Sequence, residues 1–272
     1  MEMIALALAG LLLVGWFLGQ PWLREQRRRR WRAQPFPAAW RRILRRRVPL
    51  VRRLPAYLQL QLKQRIQVFL AEVPFIGCDG LVVTDEMRVT VAAQASLLLL
   101  NRPQAAFTEL RQVLLYPGAF VVDRVRPAGG GVQHDDRRVL AGESWSQGQV
   151  LLSWHDALMG AADPDDGHNV VIHEFAHQLD QITGAANGAP PLAGRLHYQR
   201  WSQVLGAAFD RLRQQLAAGE PTLFDAYGAT EPAEFFAVAT EVFFEQPQRL
   251  AAEHPALYAE LRGYYQVDPA GW

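Results

Sequence analysis

The chain has 272 residues, half of them hydrophobic, and a formal net charge of +1. That length allows one sizeable domain or two small ones, and that composition excludes a chain left disordered for want of apolar residues. The near-zero charge hides two unlike parts: residues 24–65 hold 15 Arg/Lys against one acid, Glu25, and residues 66–272 hold 13 against 25.

Residues 3–23, "MIALALAGLLLVGWFLGQPWL", contain no charge. As a helix rising about 1.5 Å per residue, they reach about 30 Å, the thickness of a bilayer's hydrocarbon core. Trp16 and Trp22 lie toward the end that would meet the interface. Arg24 and the run Arg27 to Arg30 follow, whereas a cleaved signal peptide carries its positive charge before the apolar stretch. The expectation is an uncleaved transmembrane anchor over 1–23. By the positive-inside rule it would be a single pass through the inner (cytoplasmic) membrane, with the rest of the chain in the cytoplasm. Residues 24–55 then read as an arginine-rich juxtamembrane segment that meets anionic lipid headgroups in preference to nucleic acid. Residues 56–272 form the remaining domain.

Within that domain, "AYLQLQLKQRIQVFLAE" (56–72) is apolar at helical spacing. "PFIGCDG" breaks it, and there the single cysteine, Cys78, reads as a packing residue in a turn; one cysteine excludes an intramolecular disulfide and fits a reducing compartment. "TDEMRVTVAAQASLLLL" (84–100) predicts a second helix, capped by Thr84 or Asp85 with acids in its first turn. "AFVVDRV" (119–125) and "GQVLLSW" (148–154) read as strands, and "GGG" with "QHDDR" as the loop or hairpin between them. "DPDDGHN" (163–169) is a turn into "NVVIHEFAHQLDQITG", for which Gly184 is the C-cap. A long amphipathic helix follows over 198–219, then another over 230–247 with Pro232 in its first turn. Helices outnumber strands, so the class is α+β, mostly helical with a small sheet.

The chemistry lies in His173, Glu174 and His177, which match H-E-x-x-H. At i and i+4 two imidazoles share one helical face and can ligate one metal ion. Zinc prefers nitrogen ligands in tetrahedral geometry and, in catalytic sites, leaves one position for water. Glu174, beside the first ligand, reaches that water as general base. A third protein ligand is required. The metzincin continuation needs Gly at 180 and His or Asp at 183, but Asp180 and Thr183 stand there, which excludes that class. An aspzincin would use Asp225; a gluzincin would use one of Glu231, Glu234, Glu241 and Glu245. Asp180 and Glu241 are also candidates to steady a ligand's tautomer, Asp180 sharing the histidines' face. His155, His168 and His197 are spare ligands that read first as surface or loop residues. Strand 149–154 is the expected cradle for an extended peptide, paired through its main chain.

"HEFAHQLD", followed by "DAYGATEPAEFFAVATEVFFE", resembles the Mlc titration factor A family of bacterial zinc metallopeptidases. "PFIGCDGLVVTDEMRVTVAAQASLL" and "VLAGESWSQGQVLLSW" extend the resemblance over about residues 60–268. The resemblance implies a zincin-like, gluzincin-type metallopeptidase core related to the catalytic domain of anthrax lethal factor. It implies zinc ligands at His173, His177 and Glu234, a general base at Glu174, and at Tyr227 a phenol near the scissile carbonyl, where a hydroxyl can stabilise an oxyanion. The implied activity is hydrolysis of peptide bonds in a peptide or protein substrate by zinc-activated water. The founding member binds the glucose-responsive repressor Mlc, so the resemblance also carries an alternative: a zincin scaffold that sequesters a transcriptional regulator. No residue of this chain points to that partner by itself, and the expected anchor sets it apart from the soluble founding member.

Overall fold

The arginine-rich stretch is built into the fold. In the computed structural model, which describes residues 2–102, 107, 109–128, 132–145 and 147–272, helix α1 (Glu2–Ala33) runs from the apolar stretch into the arginines, with Pro21 inside it. Helix α2 (Ala38–Arg47) and a 3-10 turn (Pro49–Arg52) follow. Leu44, Val48, Leu50, Val51 and Leu54 are all buried in the main hydrophobic core. Arg28 pairs in a fork with Glu72 at 2.7 and 2.8 Å, Arg47 with Glu86, and Arg53 in a fork with Asp165 at 2.8 and 2.6 Å. The expected boundary at 55/56 therefore falls inside packed structure. Its apolar residues are scattered among arginines, so charge masked the pattern.

The expected single-pass inner-membrane location is corrected. Among the described residues no helix is long and apolar enough to cross a membrane. Most side chains of 3–18 lie outside the described residues. Taken over its whole length, α1 couples an apolar first half to a cationic second half, and Arg28 of that second half is tied to Glu72.

Helix α3 (Ala56–Glu72) buries Leu58, Leu62, Ile66, Phe69 and Leu70, one stripe at the spacing read from the sequence. Strand β1 (Phe75–Gly77) follows, then α4 (Asp85–Leu97). The Thr84 hydroxyl caps α4 by accepting from the Met87 amide, with Asp85 and Glu86 in the first turn. Every α4 residue from Val89 to Leu97 is buried, because α3, α5 and α6 pack around it along with α2. Such a helix has no polar face to give a periodic signal.

Strands β2 (Gln112–Tyr116), β3 (Phe120–Ala128), β4 (Val132–Leu140), β5 (Gly142–Trp145) and β6 (Gln149–Ser153) complete the β structure. β3 and β4 form a hairpin that pairs Phe120 with Leu140 through Ala128 with Val132. The other strands form a mixed sheet in the order β1-β2-β6-β5. β1, β2 and β6 are parallel, and β5 runs antiparallel to β6. The expected cradle strand β6 is thus interior, and β5 and β1 are the two edges. Nothing local to the segment 149–154 could reveal this, since strand order is set by the connections.

The remaining helices are α5 (Trp154–Ala162), α6 (Val170–Asp180), α7 (Arg195–Ala218), α8 (Pro232–Glu245), α9 (Pro247–Glu253) and α10 (Pro255–Tyr265). Gly219 ends α7 at φ +68, a left-handed conformation glycine adopts freely. α8 is buried almost throughout and packs along α6; Phe235, Phe236, Phe243, Phe244, Trp201 and Tyr265 fill its surroundings. The result is a mostly helical α+β domain with a small mixed sheet. Leu44, 2% exposed on α2, tests whether the arginine-rich stretch belongs to it. Leu44→Ala is expected to destabilise the protein by about 2–5 kcal/mol in urea melts; a loss near zero would mark the stretch as detached.

Candidate metal centre

Helix α6 starts at Asn169, whose side chain makes three hydrogen bonds. Its Oδ1 accepts from the Ile172 amide at 3.0 Å, and its Nδ2 donates to the Gly160 carbonyl at 3.1 Å and to Glu245 Oε1 at 2.8 Å. Its own amide donates to Glu241 Oε2. The cap thereby joins α6 to α5 and α8. Val171, Ile172, Phe175, Ala176 and Leu179 enter the core, which turns His173, Glu174 and His177 toward a cleft of about 1200 Å³.

α8 supplies the opposing wall. Pro232 sits at its start with Glu234 in the first turn, where a carboxylate is favoured by the helix dipole. Glu234 Oε2 lies 3.0 Å from His173 Nε2 and 3.2 Å from His177 Nε2. Ligand atoms of His173, His177 and Glu234 all fall within 4.8 Å of one another, a group able to hold a metal ion. Two turns on, Glu241 Oε1 lies 2.8 Å from His173 Nδ1.

These contacts set the local charges. Burial works against the charged form of His173, but hydrogen bonds to Glu234 and Glu241 override it and hold the imidazole well above its usual value. Burial likewise opposes ionisation of Glu234, yet its bonds to the two imidazoles hold it well below the usual carboxylate range. Glu174, 5% exposed, is pushed up to about 7 by burial, against the pull of the histidines. The donor set suits a metal ion: two imidazole nitrogens and a carboxylate oxygen converge, and Glu241 stands behind His173 where an acceptor fixes the ligand's tautomer.

Edge strand β5 passes directly against Glu174. A Cβ added to Gly142 would lie 2.7 Å from Glu174 Cγ and 2.8 Å from its Oε1. Tyr227 sits on a 3-10 turn (Ala226–Ala229) opened by Asp225, which accepts from the Tyr227 amide at 2.7 Å. Its ring centroid lies 6.0 Å from that of His173, and it is 45% exposed.

The other sequence candidates stand outside the donor group, although His168, Asp225 and Glu231 line the same cleft. Asp225 caps the Tyr227 turn, Glu231 precedes α8, and Glu245 is buried against Asn169. His155 pairs loosely with Asp156 at 3.6 Å, His168 with Asp225 at 3.9 Å, and His197 reaches the Ala193 carbonyl. Asp180 is fully buried but braces a loop: its Oδ2 accepts from the amides of Asn187 and Gly188 at 2.8 and 2.7 Å. The Gly188 carbonyl accepts from the Trp201 indole at 2.8 Å, and a Cβ on Gly188 would lie 2.4 Å from the Pro232 carbonyl oxygen. Sequence reasoning missed Asn169 and Gly142. An Asn just before an apolar-periodic run is a capping signal; Gly142 carries no local signal.

Two histidines from one helix, a glutamate from a later helix, an acid beside the first histidine and a small mixed sheet with an antiparallel edge are consistent with a zincin-like metallopeptidase domain. The chain belongs to the glucose-regulated metallo-peptidase M90 family, whose model matches residues 22–266. It is 41% identical over 258 residues to an uncharacterized protein of Synechocystis sp., covering 94% of each chain. It is also similar to Mlc titration factor A of Serratia proteamaculans, at 36% identity over 71% of this chain and 74% of that protein. Against Mlc titration factor A of Klebsiella pneumoniae the identity is 34%, over 82% and 84%.

Two measurements follow from this geometry. Glu241→Gln is expected to weaken metal binding about 10–100-fold in a competition assay with a chelating dye; unchanged affinity would detach Glu241 from the site. The second concerns Glu245, which burial pushes up to about 9, against the Asn169 hydrogen bond and with help from Glu241 and Asp166. Folded, this carboxyl keeps its proton over a range in which the unfolded chain has lost it, so unfolding releases a proton and stability falls as pH rises. Melting temperatures are expected to drop between the ordinary carboxylate value of 4.5 and about 9, and to drop less in Glu245→Gln. Parallel slopes in the two proteins would refute this.

Proposed function

We propose that this chain is a zinc-dependent peptidase that hydrolyses peptide bonds, with His173, His177 and Glu234 as metal ligands. The observation that carries this reading is the convergence of these three donors beside the buried acid Glu174. A zinc ion held there would polarise the scissile carbonyl and lower the pKa of a water molecule. Glu174 is the general base: its carboxylate takes a proton from the attacking water and returns it to the nitrogen of the leaving amine. A carboxyl raised to about 7 by burial is suited to both transfers near neutral pH, and a cation in the site would oppose that upward push. The Tyr227 hydroxyl donates to the carbonyl oxygen as it becomes the oxyanion of the tetrahedral intermediate. The free side of β5 offers main-chain groups to an extended peptide, which would add as a further strand beside Glu174.

Zinc content and peptide hydrolysis of wild type and Glu174→Gln test the proposal. The variant is expected to keep its zinc and lose about 10²–10⁴-fold in kcat; wild type that holds no zinc, or a variant with full activity, overturns it. Tyr227→Phe is expected to lower kcat by about 10²-fold with little change in KM, and a change confined to KM would assign Tyr227 to substrate binding.

The name shared by the Serratia and Klebsiella relatives, Mlc titration factor A, supports a second reading in which the scaffold sequesters an Mlc-like transcriptional regulator. Regulator capture undiminished in Glu174→Gln, with function in the cell retained, would favour that reading over peptidase activity.

A further inference from the structure

The arginines of the N-terminal part differ in what they meet: Arg29 and Arg32 pair with Glu25 of the same helix. Arg28, Arg47 and Arg53 each meet an acid of the domain. Arg41, Arg42 and Arg45 of α2 and Lys63 of α3 meet none among the described residues. These four, with Arg52 of the 3-10 turn, surround a separate cavity of about 460 Å³. Arg52 donates to the carbonyl of Arg45, which joins the turn to the end of α2 at the cavity wall. Leu44 and Val51 form an apolar floor.

Five like charges around one concavity repel each other at short range, and a polar chain has no need to collect them there. The same arrangement favours an anion. Guanidinium groups present forked donors that match phosphate oxygens two at a time, and an ammonium adds a point charge. The volume lies within the about 300–1,000 Å³ of ordinary small-ligand sites, and the apolar floor suits an organic group next to the charge.

We propose that the cavity between α2, the 3-10 turn and α3 is a binding site for a phosphate-bearing ligand, separate from the metal centre. The phosphate groups lie among Arg41, Arg42, Arg45, Arg52 and Lys63, and the organic part lies over Leu44 and Val51. A soluble phosphate ester and a phospholipid headgroup share this chemistry.

The full-length protein is titrated by calorimetry with inorganic pyrophosphate, and in a parallel sedimentation assay with vesicles of phosphatidylglycerol or phosphatidylcholine, at about 0.15 M ionic strength. Wild type is compared with Arg41→Gln/Arg42→Gln and with a control of equal charge, Arg195→Gln/Arg211→Gln, whose arginines lie exposed on α7. Saturation by pyrophosphate at one site per chain, weakened at least tenfold in the pocket variant alone, supports the site with a soluble ligand. Phosphatidylglycerol binding that is lost in the pocket variant alone, without pyrophosphate binding, supports it with a headgroup ligand. No binding of either probe, or equal losses in the two variants, overturns it. Should the double variant melt early, Lys63→Gln is read against the control in the same way.

Discussion

Glu234 and Glu241 reach from α8 to the two ring nitrogens of His173 on α6, and the rest of the site depends on that cross-helix grip. Seven residues apart, the two acids share one face of α8, so a single helix orientation delivers both. Charges taken out of water are costly unless paired and hydrogen-bonded. Here each has its partner: His173 is held above its usual value and Glu234 below it. The aromatic packing around α8 keeps this pairing strong by excluding solvent, and the Asn169 cap locks the same two helices at their other contact. Core and site are therefore one construction. A loss of packing between α6 and α8 would be read first as a loss of metal affinity.

Much of this was legible in the sequence where local rules suffice. α3 declared itself by its apolar stripe, α4 by its Thr84 cap, α8 by Pro232, and the histidine pair by its spacing. The third donor was not legible from local rules. Glu231, Glu234, Glu241 and Glu245 all lie near one helix, and only the angle of α8 against α6 separates them; the family resemblance, not spacing, singled out Glu234. The expected cradle strand, β6, proved interior because strand order depends on connections far apart in sequence; the edge strand beside it, β5, is a four-residue strand containing Gly142. Asp180 shares the histidines' face as expected, yet its carboxylate turns to a loop that no periodicity marks. The N-terminal part failed for another reason: arginine density hid the apolar residues that anchor α2.

The charge asymmetry of the sequence acquires a spatial meaning in the fold. Asp163, Asp166, Asp225 and Glu231 line the metal-centre cleft in addition to the buried acids, and among the described residues no Lys or Arg lines it. A concavity whose described charged groups are of one sign focuses its field and raises the local concentration of counter-ions, a field that would favour a divalent cation. The arginines collect on the opposite kind of surface, around α2. The fork between Arg53 and Asp165 ties the turn carrying two of the cleft's acids to the N-terminal part.

Gly188 joins three helices at one residue: its amide is held by Asp180 of α6, its carbonyl by Trp201 of α7, and its Cα lies against the first turn of α8. At φ +78 it also occupies a conformation that side chains rarely adopt. The surrounding loop, rich in Ala, Gly and Pro, has the composition of a segment that tolerates insertions. Its length is nonetheless fixed from both ends, because one added residue would either release Asp180 or push α8, with Glu234, away from the histidines. What looks like a linker functions as a spacer of set length between the two halves of the donor set.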